Sequence, residues 1–325
     1  MTVLVTGASG HIGSNLVREL IKDGREVRVL VHEDRRGIEG LDVEVFKGDL
    51  LDYPGLLRAA QGIDVVYHLA ASISIVGDRI GKVQRTNVEG TNKIIRVCRE
   101  AGVRRLVHFS SIHAYSSRPI NQPIDEKREL AGVKAPAYDR SKAAGNKVVL
   151  KSVQEGLDAV IIAPTAVIGP YDFKPSRMGA VLLKIRKRRL LALVGGGYNW
   201  VDVRDVVRGA IRAEQSAPSG SQYILSGEWG TVRELAESVH RASGVKIPRF
   251  TSPLWLARSA APFSELLAKL RRQEPLLTAE AVATLKSHRL IDSSKAEKEL
   301  GYTCRPLDET VKDTLDWFEE AGMLA

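Results

Sequence analysis

The stretch Val3-Leu4-Val5-Thr6-Gly7-Ala8-Ser9-Gly10-His11-Ile12-Gly13 decides the fold. A short apolar, β-branched run meets glycines at 7, 10 and 13, and Ile12, Leu16, Leu20 and Ile21 then recur at helical spacing. The order is strand, tight turn, helix. Gly7 allows the sharp turn, Gly10 lets the backbone approach a pyrophosphate with no Cβ in the way, and Gly13 lets the helix sit close on the sheet. An anion held there rests on the helix N-terminus, where unpaired N–H groups and the helix dipole favour negative charge. Three glycines alone are a weak signal. Their place between an N-terminal strand and an amphipathic helix distinguishes a phosphate cradle from a structural turn.

Outward from this turn the chain keeps alternating. The first helix closes at Gly24, and Glu26 to Val31, Val43 to Phe46, Asp64 to Leu69 and Arg105 to Phe109 read as strands. A helix is predicted from Asn87 to Ala101, closed by Gly102, and another from Pro136 to Gln154, before a sixth strand at Asp158 to Ile162. Such alternation predicts an α/β fold, a doubly wound parallel sheet with helices on both faces. Ligands on such a sheet bind beyond the carboxyl ends of the strands, where Asp49, His68, Ser110 and Ser111 fall. Residues 163–172 break up around Pro164, Gly169 and Pro170. A helix from about Met178 to Arg189 and a strand at Gln222 to Leu225 follow, and the chain from about Gly227 reads as mostly helical. The expected division is 1–162 with 198–226 as the dinucleotide-binding domain, and 163–197 with 227–325 as a smaller substrate domain.

Bulk properties exclude several classes. A composition of 44% hydrophobic and 27% charged residues fits a soluble globular chain. No apolar run reaches bilayer length and no signal peptide is evident, so a cytoplasmic location is expected. Cys98 and Cys304 lie far apart without metal-ligand spacing, which suits a reducing compartment and predicts no metal site. The net charge of +9 has one dense cluster, Lys184, Arg186, Lys187, Arg188 and Arg189, without the interleaved aromatics of a single-strand platform. Nucleic acid is therefore not an expected partner, and the cluster reads as a solvated helix end.

The chemistry centres on Tyr138 and Lys142, four apart and so on one helix face. A phenol, with an ordinary pKa near ~10, is a poor proton donor or acceptor at neutral pH unless an ammonium stabilises its phenolate. Ser111, at the end of the fifth strand, supplies a second hydrogen bond to a substrate oxygen. A carbonyl held by both above a nicotinamide is set up for hydride transfer.

In these motifs the chain resembles the extended short-chain dehydrogenases/reductases of the NAD-dependent epimerase/dehydratase superfamily, over nearly its whole length. The matching residues are the turn 6–13, Gly48-Asp49-Leu50, His68-Leu69-Ala70-Ala71, Asn87-Val88-Glu89-Gly90-Thr91, Phe109-Ser110-Ser111, Tyr138 to Lys142, and Val201-Asp202-Val203-Arg204-Asp205-Val206. The resemblance implies a Rossmann-type fold, Tyr138 as general acid/base, Lys142 on the nicotinamide ribose, and Ser111 orienting the substrate oxygen. It implies cofactor contacts from Gly7, Ser9, Gly10, His11, Ile12, Gly13, Asp49, Leu50, Leu69, Ala70, Ala71 and Pro164, with Asp49 at the adenine. Asn87 is expected to support the site. A homodimer through the helices 87–101 and 136–154 is likewise an expectation from the family.

Cofactor choice turns on the end of the second strand. An acid there suits NAD and a nearby arginine suits the 2′-phosphate of NADP. Val31 occupies the acid's place, His32, Glu33 and Asp34 follow, and Arg35 and Arg36 come next. NADP is expected, with NAD as the alternative if Glu33 or Asp34 turns inward. Sugar-nucleotide members of the family read Arg-Pro-x-Asn-Val-Tyr-Gly-Pro after the sixth strand, whereas Ala163-Pro164-Thr165-Ala166-Val167-Ile168-Gly169-Pro170 lacks both polar handles. That form resembles the dihydroflavonol-reductase and hydroxysteroid-dehydrogenase branch. The expected activity is ketone–alcohol interconversion on a hydrophobic small molecule. A nucleotide-sugar epimerase or dehydratase is the rival, and a non-catalytic dinucleotide sensor comes third. Substrate contacts are expected from Ser72, His113, Thr165, Tyr171, Phe173 and Met178, although core packing also accounts for the aromatic residues. An amphipathic stretch over 253–272, with Trp255, Phe263 and Arg258, is suited to anionic lipid, but packing on the substrate domain is the favoured expectation.

Overall fold

The computed structural model describes residues 1–74, 77–78, 80–270, 278–285 and 288–324, without the side chains of 265–270 and 280. The chain runs β1 (Thr2–Thr6), α1 (His11–Lys22), β2 (Glu26–Val31), β3 (Glu44–Lys47), α2 (Tyr53–Ala60) and β4 (Val65–His68). Then come α3 (Lys82–Gln84), α4 (Gly90–Glu100), β5 (Arg105–Phe109), α5 (Ala137–Gln154) and β6 (Ala159–Pro164). β7 (Ala166–Ile168), α6 (Arg177–Arg186), β8 (Leu193–Val194), β9 (Gly197–Asp202), α7 (Val203–Ser216) and β10 (Gln222–Leu225) follow. β11 (Glu228–Thr231), α8 (Val232–Ser243), β12 (Thr251–Ser252), α9 (Leu254–Leu270), α10 (Ala279–Thr284), α11 (Ser294–Leu300) and α12 (Leu307–Glu320) close the chain.

Seven strands form one parallel sheet in the order β10-β6-β5-β4-β1-β2-β3. Side chains alternate across it. Val3, Val5, Val29, Val107 and Val160 meet Leu16, Val17 and Leu20 of α1 and Val206 and Ala210 of α7 on one face. Leu4, Val66, Leu106 and Ile161 meet Leu56 of α2, Ile94 and Cys98 of α4 and Val149 of α5 on the other. Covering both faces explains why β4, β5 and β6 are buried along their whole length. This is a doubly wound, Rossmann-like sheet. Burial pushes the Cys98 thiol up to about 12 and leaves it unreactive at neutral pH.

A second core forms around the small sheet β11-β9-β7, with Ile168, Leu182, Trp200, Leu235, Val239, Leu315 and Phe318. β9 and α7 occupy 197–216, where no element is predicted except through the Val201–Val206 motif. α7 buries Val203, Val206, Val207, Ala210 and Ile211 at helical spacing, and Asp202 caps it by accepting the Arg204 N–H at 2.7 Å. Arg204 bridges Asp202 and Asp313 at 2.7 Å each, and Arg305 bridges Asp205 at 2.7 Å and Asp202 at 3.3 Å. These pairs fasten α12 to α7, and so the second core to the first. Ala296, Leu300 and Tyr302, placed by the sequence in the substrate domain, pack instead into the core of the large sheet.

The helix predicted from Asn87 begins earlier, at Lys82, and passes through a π-helical turn at Arg85–Glu89 before α4. The helix predicted to reach Arg189 stops at Arg186, and Arg188 turns the chain with a φ of 56°. Among the described residues no helix is long and apolar enough to cross a membrane, and no cluster of His, Cys, Asp or Glu is arranged to hold a metal.

Candidate active site

The glycine turn opens at the carboxyl end of β1. Gly7 has a φ of +73°, and a Cβ there would lie 2.7 Å from the Ala70 nitrogen. The turn can therefore press against the end of β4 only as glycine. A Cβ on Gly13 would come within 2.2 Å of the Gly7 carbonyl, and one on Gly10 within 3.3 Å of the same oxygen. The first helical bond of α1 runs from the Ser14 N–H to the Gly10 carbonyl, leaving the N–H groups of residues 11, 12 and 13 ahead of it. Bare backbone, aligned donors and the positive end of a helix dipole fit a pyrophosphate. Such a turn suits the pyrophosphate of the dinucleotide expected from sequence.

Beside the cradle lies the loop after β2. The Ser9 hydroxyl donates to the Asp34 carbonyl, and a Cβ on Gly37 would lie 2.9 Å from the Ser9 carbonyl, so the loop sits directly on the turn. Arg36 grips Asp34 through two side-chain bonds of 3.0 and 2.6 Å, and this pairing holds the Asp34 carboxyl below its usual range. Arg35 is exposed. His32 stands 3.6 Å from the Asp49 carboxylate, so the ends of β2 and β3 meet where the adenine is expected. The Leu50 side chain turns into the core against Gly90. Leu69, Ala70 and Ala71 remain half-buried beside the turn.

Ser111 lies beside Tyr138, near enough to favour its ionised phenol, and the Ser111 oxygen accepts the His113 N–H at 3.2 Å. Burial pushes the Tyr138 phenol up to about 12, opposed by Ser111 and reinforced by the charge of Asp139. One turn along α5, Lys142 is 6% exposed and donates to the Phe109 carbonyl at 2.9 Å. Burial lowers its ammonium to about 8. Lys142 is thus held in a dry setting that penalises its charge, Tyr138 beside it is half-buried, and a charge on one favours the opposite charge on the other. His113 stacks edge-on to Tyr138 at 5.9 Å and lies 3.3 Å from Asp139.

Asn87 acts as the brace. Its amide oxygen accepts the Ser72 N–H at 2.7 Å, and its amide nitrogen donates to the Ser72 carbonyl at 3.0 Å and to the Ser141 hydroxyl at 2.9 Å. Ser141 donates to the Tyr138 carbonyl at 2.7 Å. Ser72, expected at the substrate, is therefore clamped through its backbone. The extra residue of the π-helical turn carries Asn87, a placement common where a helix serves a site.

Several expected contacts are spent elsewhere. The His11 ring bonds the Gly169 and Pro170 carbonyls at 3.1 Å each, so only its backbone faces the cradle. Tyr171 and Phe173 pack with Trp317 at 5.8 and 5.0 Å, under the Arg18 guanidinium at 4.4 and 5.1 Å. Met178 packs on the second core as well. These three side chains join α1 to the second core, because long apolar groups beside a helix are buried most cheaply against one another. The Thr165 hydroxyl donates to Asn199 at 2.8 Å, and Asn199 also ties down Gly227, a brace that sequence reading missed. His68 is not at the cleft but 2% exposed, held by Thr6 at 2.8 Å and Thr91 at 3.1 Å. His108, missed entirely, lies 5.5 Å from it with neither ring nitrogen bonded.

The model of the NAD dependent epimerase/dehydratase family matches residues 3–225. The chain is 34% identical to sterol demethylase protein B of Methylococcus capsulatus, over the full length of both. It is 33% identical to a putative dihydroflavonol 4-reductase of Synechocystis sp., over 98% of this chain and 94% of that one. The crystal structure of gox2253 superposes with a TM-score of 0.85 at 33% identity, covering 100% and 99% of the two chains. With a glycine cradle and a serine–tyrosine–lysine set on the sheet those relatives share, the chain belongs to the NAD-dependent epimerase/dehydratase family and is an enzyme of the extended short-chain dehydrogenase/reductase type.

Proposed function

We propose that the chain is an NADP-dependent oxidoreductase interconverting a ketone and a secondary alcohol on a hydrophobic small molecule. The observation that carries this reading is that Ser111 at the end of β5, Tyr138, and buried Lys142 one helical turn further along α5 are brought together, with Ser111 favouring the ionised phenol. A bound nicotinamide supplies or accepts the hydride. In the reductive direction Ser111 donates a hydrogen bond to the carbonyl oxygen, and Tyr138 delivers its proton there as negative charge develops. The Lys142 ammonium offsets the phenolate left behind. Val31 at the acid's position, Asp34 engaged by Arg36, and exposed Arg35 favour a 2′-phosphate. Ala163 and Ala166 at the diphosphate handles favour a substrate without a nucleotide, and the names of the sterol demethylase and dihydroflavonol reductase relatives point the same way. A cytoplasmic homodimer through α4 and α5 belongs to the same proposal.

The test titrates NADPH and NADH and then follows NADPH oxidation with flavanone, steroid and simple aryl ketones. Ketone-dependent oxidation that disappears in Tyr138→Phe supports the reading. Conversion of a sugar nucleotide without net oxidation, with no ketone consumed, overturns it.

A further inference from the structure

We infer that the face built from β8, β12 and α9 docks on an anionic lipid surface. α9 packs inward through Ala257 and Ala261, 3% and 0% exposed, while Trp255 and Phe263 stand 69% and 77% exposed on the outside. Packing, favoured for this stretch on sequence, thus takes up the alanines and leaves the aromatic rings in water. Leu266, Leu267, Lys269, Leu270, Arg271 and Arg272 of the same stretch lie outside the described side chains. Two more apolar groups belong to this face. β12 runs parallel to β8, and the Leu193 N–H donates to the Phe250 carbonyl at 3.0 Å. That pairing sets exposed Phe250, which leads into α9, beside the segment of exposed Leu191, which follows the basic end of α6.

The charge is as uneven as the exposure. Between Asp172 and Asp202, and between Glu237 and Glu265, there is no carboxylate, yet the two stretches hold eleven lysines and arginines. This exceeds the net charge of +9, so the rest of the chain carries a slight excess of acid. Among the described residues Arg186, Arg188, Arg189, Lys246, Arg249 and Arg258 have no ion-pair partner. Exposed aromatic rings flanked by unpaired cations match the boundary of a bilayer, where rings settle among headgroups and cations meet anionic lipid. A second copy of the chain fits poorly, since a two-fold contact would set these cations against themselves. Docking here would bring the enzyme to a lipid-dissolved substrate, but the inference does not rest on the proposed reaction.

The test uses the full chain with vesicles of phosphatidylcholine alone and of equal parts phosphatidylcholine and phosphatidylglycerol. Co-sedimentation with the second and not the first is expected, falling as salt rises toward ~1 M and the Debye length shrinks to about 3 Å. Trp255 emission is expected to shift blue on binding. W255S/F263S and, separately, R188E/R189E are expected to lower partitioning by at least roughly tenfold while NADPH titration and melting temperature stay unchanged. Absence of binding to both vesicles, or binding that both variants retain, overturns the inference. So does a change of oligomeric state in W255S/F263S, which would make the face a protein contact.

Discussion

The Asn87 amide donates to the Ser141 hydroxyl at 2.9 Å, and Ser141 in turn bonds the carbonyl of Tyr138. Tyr138, the proposed general acid, is thus braced from a separate helix. Asn87→Ala removes this link together with both bonds to Ser72. The expected result is a fall in kcat on the order of 100-fold, the size of effect that a 1 Å misplacement produces. NADPH affinity is expected to stay within a few fold. Single-turnover kinetics beside a cofactor titration would check this, and loss of cofactor binding in step with kcat would contradict it.

Lys142 makes opposite demands on activity and stability. Its folded value near 8 lies below its ordinary 10.5, so between these values the unfolded chain holds more protons, and stability rises with pH. Lys142→Met is expected to melt higher than the parent at neutral pH. The gap should narrow as pH climbs from about 8 to about 10.5. Reductase activity should be lost throughout. A variant that melts lower than the parent at neutral pH would refute the argument.

Acid acts through the buried histidines. Burial, then the charge of Lys142, lowers His68 to about 3, and burial holds His108 well below its ordinary 6.5. Below about 6.5 the unfolded chain binds protons that the folded chain refuses, so stability falls with pH by about 1.4 kcal/mol per unit for each histidine. His108→Leu removes one of these protons and two unbonded buried nitrogens. Urea midpoints from about pH 7 to about pH 5 should show a gentler slope in the variant and a gain of about 2 kcal/mol at the acid end.

Cofactor preference should divide the two arginines. Arg35→Ala is expected to weaken NADPH about tenfold, or ~1.4 kcal/mol, and to leave NADH unchanged. Arg36→Ala should do less to NADPH, because Arg36 is already engaged by Asp34. Fluorescence titration of both nucleotides would check this. Equal losses for NADPH and NADH in Arg35→Ala would place the 2′-phosphate elsewhere.

Every strand of the large sheet is legible in the sequence: the inner strands, buried on both faces, read as apolar, β-branched runs, and the largely exposed edge strand β3 reads by the alternation of Val43-Glu44-Val45-Phe46. Ser111, Tyr138 and Lys142 are legible for a similar reason, lying at one strand end and on one helix face. The strands outside that sheet, β7, β8, β9, β11 and β12, are not. They exist through partners such as Asn199, whose amide joins Thr165 to Gly227. α7 hides its period behind Asp205 and Glu214, charges that are buried only because arginines from distant segments meet them. The fates of Tyr171 and Phe173 depend on Arg18 and Trp317, and no local pattern records contacts across such spans.

The four bonds by which His11, Ser14 and Asn15 hold the carbonyls of Gly169, Pro170 and Tyr171 limit how freely this enzyme can be redesigned. The segment leaving β6 is not an interchangeable cassette. Its anchorage is written into α1, more than 150 positions earlier. A transplanted 169–171 segment that followed a different backbone path would leave the Asn15 amide, 6% exposed, without its second acceptor, the Pro170 carbonyl. Loop exchange aimed at a new substrate would then register first as weakened hold on the cofactor.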